Sequence, residues 1–206
     1  MQIITLTDKK NVMEQNTYLL LKDNEGILID AGASLKEIKK YNVKIIAILL
    51  THSHFDHILY LEEIQKYYNC PIFISEDDKQ GLFNTRLNLS ILWKSFKFNG
   101  DLSLIKTFKD NDILNLNEFN FKCILTPGHT LGSSCFLIEN NLFSGDTLFA
   151  DSIGRADFPN SSQVKQKSSL ERLDKLNYNI LYPGHGRAST KQEQKANIEF
   201  WLNQLN

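Results

Sequence analysis

The 206-residue chain is predicted to be an α/β protein built from two mixed β-sheets packed face to face, with helices on the outside. Three observations predict it. Extended segments precede helical ones twice over, Lys44 to Leu50 is a nearly continuous apolar run of the kind buried on both faces of a sheet, and no Pro/Gly/Ser-rich linker separates the two halves. The length suits one domain, residues 1–206, large enough to bury a substantial core.

In the first half, residues 2–7 and 17–22 read as strands, and Asp23-Asn24-Glu25-Gly26 supplies a hairpin turn before a strand at 26–30. Ser34-Leu35-Lys36-Glu37 has the form of a capping box opening a short helix to about Tyr41. The apolar strand at 44–50 then delivers the chain into a cluster of histidines. A helix is expected from about Asp56, with Ile58, Leu61, Ile64 and Tyr68 at helical spacing, ending before Cys70-Pro71. Residues 71–75 form another short strand.

The second half repeats this order without repeating the sequence. Strands are expected at 103–108, 112–116, 119–126, 134–139 and 141–144, with a tight turn at Glu139-Asn140-Asn141. Helices follow at about 163–176 and 191–205, the second opened by a capping box, Thr190-Lys191-Gln192-Glu193. In the last helix Ile198, Trp201, Leu202 and Leu205 form one apolar face, read as core packing. Residues 82–98, with Phe83, Trp93, Phe96 and Phe98, fit a flap over a site, a dimer face or ordinary packing; the last is favoured.

Composition excludes several classes. Hydrophobic content of 42% and charged content of 23% describe an ordinary globular protein, and a net charge of -1 leaves no basic footprint for nucleic acid. Cys70, Cys123 and Cys135 show no Cys-x-x-Cys spacing and are read as small core residues of a protein in a reducing compartment. No apolar run reaches the ~18 residues of a membrane span, and the N-terminus lacks signal-peptide form. The expected location is cytoplasmic, as a monomer or homodimer.

All five histidines sit in metal-ligand patterns. Three fall in Thr51-His52-Ser53-His54-Phe55-Asp56-His57, the fourth in Thr126-Pro127-Gly128-His129-Thr130, and the fifth in Tyr182-Pro183-Gly184-His185-Gly186; Ser144-Gly145-Asp146-Thr147 lies between the last two. His52 and His54 are two apart in extended chain, so they point to one side, and Asp56 and His57 turn to another side of the same pocket. One loop thus offers ligands to two metals. His129, Asp146 and His185 each follow an apolar strand, and Pro-Gly before His129 and His185 holds a tight turn at the strand end. Imidazole and carboxylate hold zinc or iron, and an open coordination position at such a metal activates water. A metal-stabilised binding domain would need no open position, and the full ligand set argues against it.

His52-x-His54-x-Asp56-His57, followed by His129, Asp146 and His185, resembles the metallo-β-lactamase superfamily. The resemblance runs from Ile29-Asp30 to His185 and implies a four-layer αββα sandwich. It implies a first metal on His52, His54 and His129, and a second on Asp56, His57 and His185, with Asp146 bridging. The expected cofactor is therefore two divalent ions, zinc in the first place and iron or manganese as alternatives. An Asp in the bridging place, where β-lactamases often carry Cys, points away from antibiotic hydrolysis. Gly145-Asp146-Thr147-Leu148-Phe149 and Gly154-Arg155-Ala156-Asp157-Phe158-Pro159 resemble the glyoxalase II (hydroxyacylglutathione hydrolase) group, in its short single-domain form. The chain ends 21 residues after His185, so no C-terminal glutathione-binding helical domain is expected.

The activity implied is metal-dependent hydrolysis of a small-molecule thioester or ester by a metal-bridging hydroxide, with Asp56 as ligand and proton acceptor. Asp30 is expected to accept the second N–H of a ligand histidine. Arg155 is open to a substrate carboxylate or to Asp157, and Lys165 and Lys167 are read as solvated. The alternative is a mononuclear-iron persulfide dioxygenase using His52, His129 and Asp146 as a two-histidine, one-carboxylate triad.

Overall fold

The computed structural model describes residues 1–8, 11, 13–93 and 96–205, and the chain divides into two compact units, Met1–Phe108 and Lys109–Asn206. Each unit holds one six-stranded mixed sheet with its own helices. The first contains β1 (Gln2–Thr7), β2 (Asn16–Lys22), β3 (Glu25–Ile29), α1 (Leu35–Ile38), β4 (Lys44–Leu49), α2 (Leu61–Tyr68), β5 (Ile72–Ser75) and β6 (Ile105–Phe108). Strands β1 to β3 are antiparallel neighbours, and β3 to β6 run parallel in sequence order. The apolar run at β4 occupies a middle position, where Ile45, Ala47, Ile48 and Leu49 are fully buried.

The alternation of side chains explains the packing. Leu19, Leu28 and Ile48 join Ile38, Ile58, Leu61 and Ile64 in one apolar cluster, while Leu20, Ile27, Ile29, Ala47 and Leu49, also buried, face the other way. Burying each such Leu or Ile stabilises the fold by about 1.5–3 kcal/mol relative to exposure.

The second unit contains β7 (Ile113–Leu116), β8 (Phe119–Leu125), β9 (Ser134–Ile138), β10 (Asn141–Gly145), α3 (Gln163–Lys175), β11 (Ile180–Pro183), β12 (Ser189–Thr190) and α4 (Lys191–Gln204). Strands β7 to β10 form an antiparallel meander, β11 adds in parallel to β10, and the two-residue β12, not anticipated from the sequence, closes the edge. Glu139 and Asn140 both take positive φ (46° and 61°), the conformation that a two-residue turn between twisted strands requires. Ile124, Leu142 and Leu181 pack with Leu170, Leu173 and Ile198 of the helices. Trp201, Leu202 and Leu205 flank that cluster, so the apolar face of α4 is core packing as expected.

Three sequence expectations change. Ser34 makes no side-chain cap on α1, and the Glu37 carboxylate pairs with Lys40 instead, so α1 is a single turn continued by a 3₁₀ turn at Lys39–Tyr41. The helix expected from Asp56 begins at Leu61. The cause is a diverted carbonyl: His57 O accepts from Ala31 N (2.7 Å), and Leu61 N turns to Ile58 O (3.1 Å). The segment 82–98 divides. Leu82 and Phe98 are buried and Phe83 and Phe96 pack against the core, whereas Ile91, Leu92 and Trp93 stand exposed; Lys94 and Ser95 lie outside the described residues.

The three cysteines are buried and unbridged, and burial pushes their thiols up to about 12, 12 and 11 for Cys70, Cys123 and Cys135. Among the described residues no helix is long and apolar enough to cross a membrane.

The second capping box does form. Glu193 N donates to Thr190 Oγ1 (3.2 Å) and Thr190 N donates to Glu193 Oε2 (2.7 Å). These bonds and Arg187 lower the Glu193 carboxyl to about 2, so its support for α4 is full above the ordinary glutamate range and fades as pH falls toward that value. Replacing Thr190 by Ala is expected to lower unfolding stability by about 1 kcal/mol, whereas Ser34→Ala changes it by less than about 0.5 kcal/mol. Denaturant melts of the two variants decide this; equal losses would contradict the difference in capping.

Candidate metal centre

In each unit the chemistry-bearing residues leave one edge of the sheet. Strands β3 and β4 are parallel neighbours, so Asp30, just past β3, and the run Thr51 to His57, just past β4, emerge together. In the second unit β8 and β10 share a direction across the intervening β9, and β11 is parallel to β10. His129, Asp146 and His185 therefore follow the ends of three strands pointing the same way. Catalytic groups gather at such strand ends because the loops there are free of ladder hydrogen bonds while the strands hold them in place.

Asp30 organises the first unit's donors. It is buried, and its carboxylate accepts from Thr51 N (2.8 Å), from Thr51 Oγ1 (2.9 Å) and from His57 Nδ1 (2.8 Å). Its φ of 62° is left-handed, a conformation that Asp tolerates better than most residues. With Nδ1 directed at Asp30, His57 presents Nε2 toward Asp56, whose Oδ2 lies 3.6 Å away. Thr51 Oγ1 also lies 3.1 Å from His52 Nδ1. The His52 ring centroid is 4.7 Å from that of His54 and 4.1 Å from that of His57, so the loop gathers three imidazoles and one carboxylate.

The loop backbone is pinned from several sides. Asn11 Nδ2 donates to Asp56 O (3.0 Å), Ser53 N donates to Asp78 Oδ2 (2.6 Å), and Phe55 N donates to Asn88 O (2.9 Å). Gly32 lies so close that a Cβ there would stand 2.5 Å from Asp56 O, and the Thr17 hydroxyl accepts both Gly32 N and Ala33 N at 2.9 Å. The spacing of the histidines gave no sign of Asn11, Thr17 or Asp78. Thr51 alone was adjacent to the motif.

In the second unit one carboxylate oxygen is shared. Asp146 Oδ2 lies 3.5 Å from His129 Nε2 and 3.4 Å from His185 Nε2. His129 Nδ1 pairs with the carbonyl of Arg155 (2.7 Å), which fixes Nε2 as its outward nitrogen. The Thr126 and Thr147 hydroxyls meet at 2.8 Å and Gly184 N donates to Gly145 O (2.8 Å), so the three donor loops are tied to one another. A Cβ on Gly154 would fall 1.7 Å from Asp146 O, which explains why the chain passing behind the carboxylate carries glycine there.

Arg155 pairs with Asp157. Its guanidinium makes a bidentate pair with Asp157 (2.9 and 2.8 Å) over the Phe158 ring, and that pairing holds the Asp157 carboxyl below its usual range. The contribution of Arg155 to the donors is its backbone carbonyl, for which side-chain identity gives no signal.

The donors fit metal ions. Two ligands each about 2.1 Å from one tetrahedral ion stand about 3.4 Å apart. The Asp56–His57, Asp146–His129 and Asp146–His185 separations of 3.6, 3.5 and 3.4 Å match that spacing and exceed ordinary hydrogen bonds. In each unit the His and Asp side chains are of the types that hold divalent ions.

Asp30→Asn leaves one oxygen where the carboxylate serves two sets of donors, so either Thr51 or His57 meets an N–H. Metal affinity measured by chelator competition is expected to fall about 10- to 100-fold, with the fold retained. Unchanged affinity would mean that Asp30 merely shapes the turn.

Comparison with known proteins agrees with this construction. A probable metallo-hydrolase of Methanocaldococcus jannaschii is 33% identical over 83% of this chain and 87% of its own length. A hydroxyacylglutathione hydrolase of Buchnera aphidicola is 35% identical over 73% of this chain, which spans about half, 54%, of that protein. The crystal structure of BLEG-1, described as a B3 metallo-beta-lactamase, superposes with a TM-score of 0.85 at 26% identity, covering 97% of this chain and 99% of its own. Two mixed sheets with their helices thus match the metallo-β-lactamase α/β sandwich. With the metallo-beta-lactamase superfamily profile matching residues 11–185, a span that includes every donor from His52 to His185, the chain belongs to that superfamily.

Proposed function

We propose that this chain is a dinuclear metal-dependent hydrolase of small thioesters. The loop Thr51 to His57 and the residues His129, Asp146 and His185 would together hold two divalent ions, zinc first among them. His52, His54 and His129 would serve one ion, and Asp56, His57 and His185 the other. The observation that carries the reading is the position of Asp146 Oδ2, within 3.5 Å of His129 and 3.4 Å of His185, the spacing of ligands that would hold metal together. Superfamily membership and a metallo-hydrolase relative support hydrolysis, and likeness to a hydroxyacylglutathione hydrolase supports the thioester.

Two such ions, when bound, would supply a water whose pKa is lowered from 15.7 toward roughly 7 and a Lewis acid for a carbonyl oxygen. The protein does the remaining work. Asp30 and the Arg155 carbonyl fix the tautomers of His57 and His129, so that each presents Nε2 without rearrangement. The Asp56 carboxylate takes the proton of the attacking water. The water oxygen bonds to the carbonyl carbon, the carbon–sulfur bond breaks, and the departing thiolate is protonated to the free thiol. Burial of His52, His54 and His57 keeps bulk water from competing for the same donors.

Elemental analysis after exhaustive dialysis is expected to find two ions per chain; one tightly held iron with oxygen uptake on persulfides would instead support the dioxygenase. Asp56→Asn is expected to cut kcat about 100- to 10,000-fold with an unchanged thermal melt, and wild-type turnover would remove its proton-accepting role.

A panel of lactoylglutathione, short acyl thioesters, lactones and a chromogenic β-lactam tests the substrate class. Thiol release is expected from the thioesters, with a preference for the glutathione substrate below ~1,000-fold, roughly 4 kcal/mol. Hydrolysis of the β-lactam alone would overturn the reading.

A further inference from the structure

The exposed turn that follows β5 carries a feature the hydrolytic chemistry does not use. Ile91, Leu92 and Trp93 are 50%, 79% and 54% exposed, three consecutive large apolar side chains turned to solvent together. The Trp93 ring stacks on Phe55, with centroids 6.3 Å apart and planes 16° from parallel. Phe55 lies between His54 and Asp56, so this apolar surface begins one residue from two of the candidate metal ligands.

The surface is built into the fold. Asn88, fully buried, donates from Nδ2 to Gly81 O (2.9 Å) and Phe96 O (3.1 Å) and accepts from Ser90 N (3.0 Å), while its backbone carbonyl holds Phe55 N (2.9 Å). Ser90 Oγ donates to Phe96 O (3.0 Å), and Ile91 N to Thr85 O (3.0 Å). Between these anchors Leu89 is held at φ 61°, a left-handed conformation unfavourable for a branched side chain. Such strain persists only where the surroundings over-determine it, and it gathers at ligand-binding segments. Here it turns three large apolar side chains outward beside a ligand loop.

We propose that Phe55, Ile91, Leu92 and Trp93 form the binding surface for an aliphatic acyl chain, making medium-chain acyl thioesters the preferred substrates. The assignment of thioester as the reacting group rests on the hydrolase reading above; the apolar surface does not. Each methylene laid on a half-exposed apolar face is expected to improve binding about twofold, less than the roughly fourfold of full burial.

Two measurements on the full-length, metal-loaded protein test this. The first is calorimetric binding of decanoate and butyrate, which needs no turnover. Decanoate is expected to bind at least tenfold tighter, and Trp93→Ala and Leu92→Ser, both at exposed positions and checked by thermal melt, should bring the ratio below threefold. The second is kcat/KM for acetyl, hexanoyl and decanoyl thioesters of N-acetylcysteamine. The decanoyl-to-acetyl ratio is expected to exceed tenfold in wild type, chiefly through KM, and to collapse in both variants.

Hydrolysis of all three thioesters without chain-length preference, together with equal binding of the two acids, would overturn the acyl surface and leave the thioesterase standing. Chain-length-dependent binding lost in Trp93→Ala, without any thioester turnover, would uphold the surface and overturn the thioesterase. A concentration-dependent dimer abolished by Leu92→Ser, with both ratios near one, would assign the face to a second copy of the chain and overturn the proposal.

Discussion

The first unit's donors depend on one buried carboxylate. Asp30 accepts the Thr51 N–H, the Thr51 hydroxyl and His57 Nδ1 within 2.8–2.9 Å, so its charge is delocalised over hydrogen bonds rather than left isolated in an apolar surround. An unpaired buried charge would cost several kcal/mol. Because those same bonds orient the loop entrance and one imidazole, the stability of the buried acid and the placement of the donors are a single fact. A loop held this way does not need the helix that the sequence pattern suggested at Asp56. The His57 carbonyl that would have continued the helix is used by Ala31 N instead.

The two units solve the same positioning problem with different connections. In the first, consecutive parallel strands bring the Asp30 turn and the histidine run to one edge. In the second, an antiparallel meander does so only because one strand intervenes between β8 and β10, and the parallel addition of β11 brings in His185. Glycines at 32 and 154 let backbone pass directly behind the ligand segments, where any side chain would displace the Asp56 or Asp146 carbonyl by more than a packed interior tolerates. The Pro-Gly before His129 has a related cause. A Cβ on Gly128 would meet Gln166 at 2.0 Å, and Gln166 in turn donates to Thr147 O beside Asp146.

Reactivity and specificity sit on different kinds of structure. The donors other than the partly exposed His185 are buried, as a set that must bind metal without reorganising is expected to be. The apolar turn at Ile91 to Trp93 is exposed, yet fastened by the buried Asn88, so it combines accessibility with a defined shape. Strain at Leu89 is tolerated because the hydrogen bonds on both sides leave the chain no cheaper path.

The sequence by itself determined the strand and helix order, the hairpin turns and the identity of the donors. Those signals are local: the turn residues before β3, the apolar run of β4, and histidines spaced by two in extended chain depend on residues a few positions apart. The second capping box forms between Thr190 and Glu193 although Glu193 also pairs with Arg187, whereas at Ser34 the N–H that Glu37 would accept donates to the distant Asp8 instead. What only the tertiary structure decided are the partners drawn from distant chain. Asn11 on Asp56, Asp30 on His57 and the Arg155 carbonyl on His129 join residues 26 to 45 positions apart, and a backbone carbonyl is the same in every residue. The divided fate of residues 82–98 has the same origin. Phe83, Phe96 and Phe98 share the aromatic character of Trp93, and only the fold separates the side chains that fill the core from the one that stacks on Phe55 at the surface.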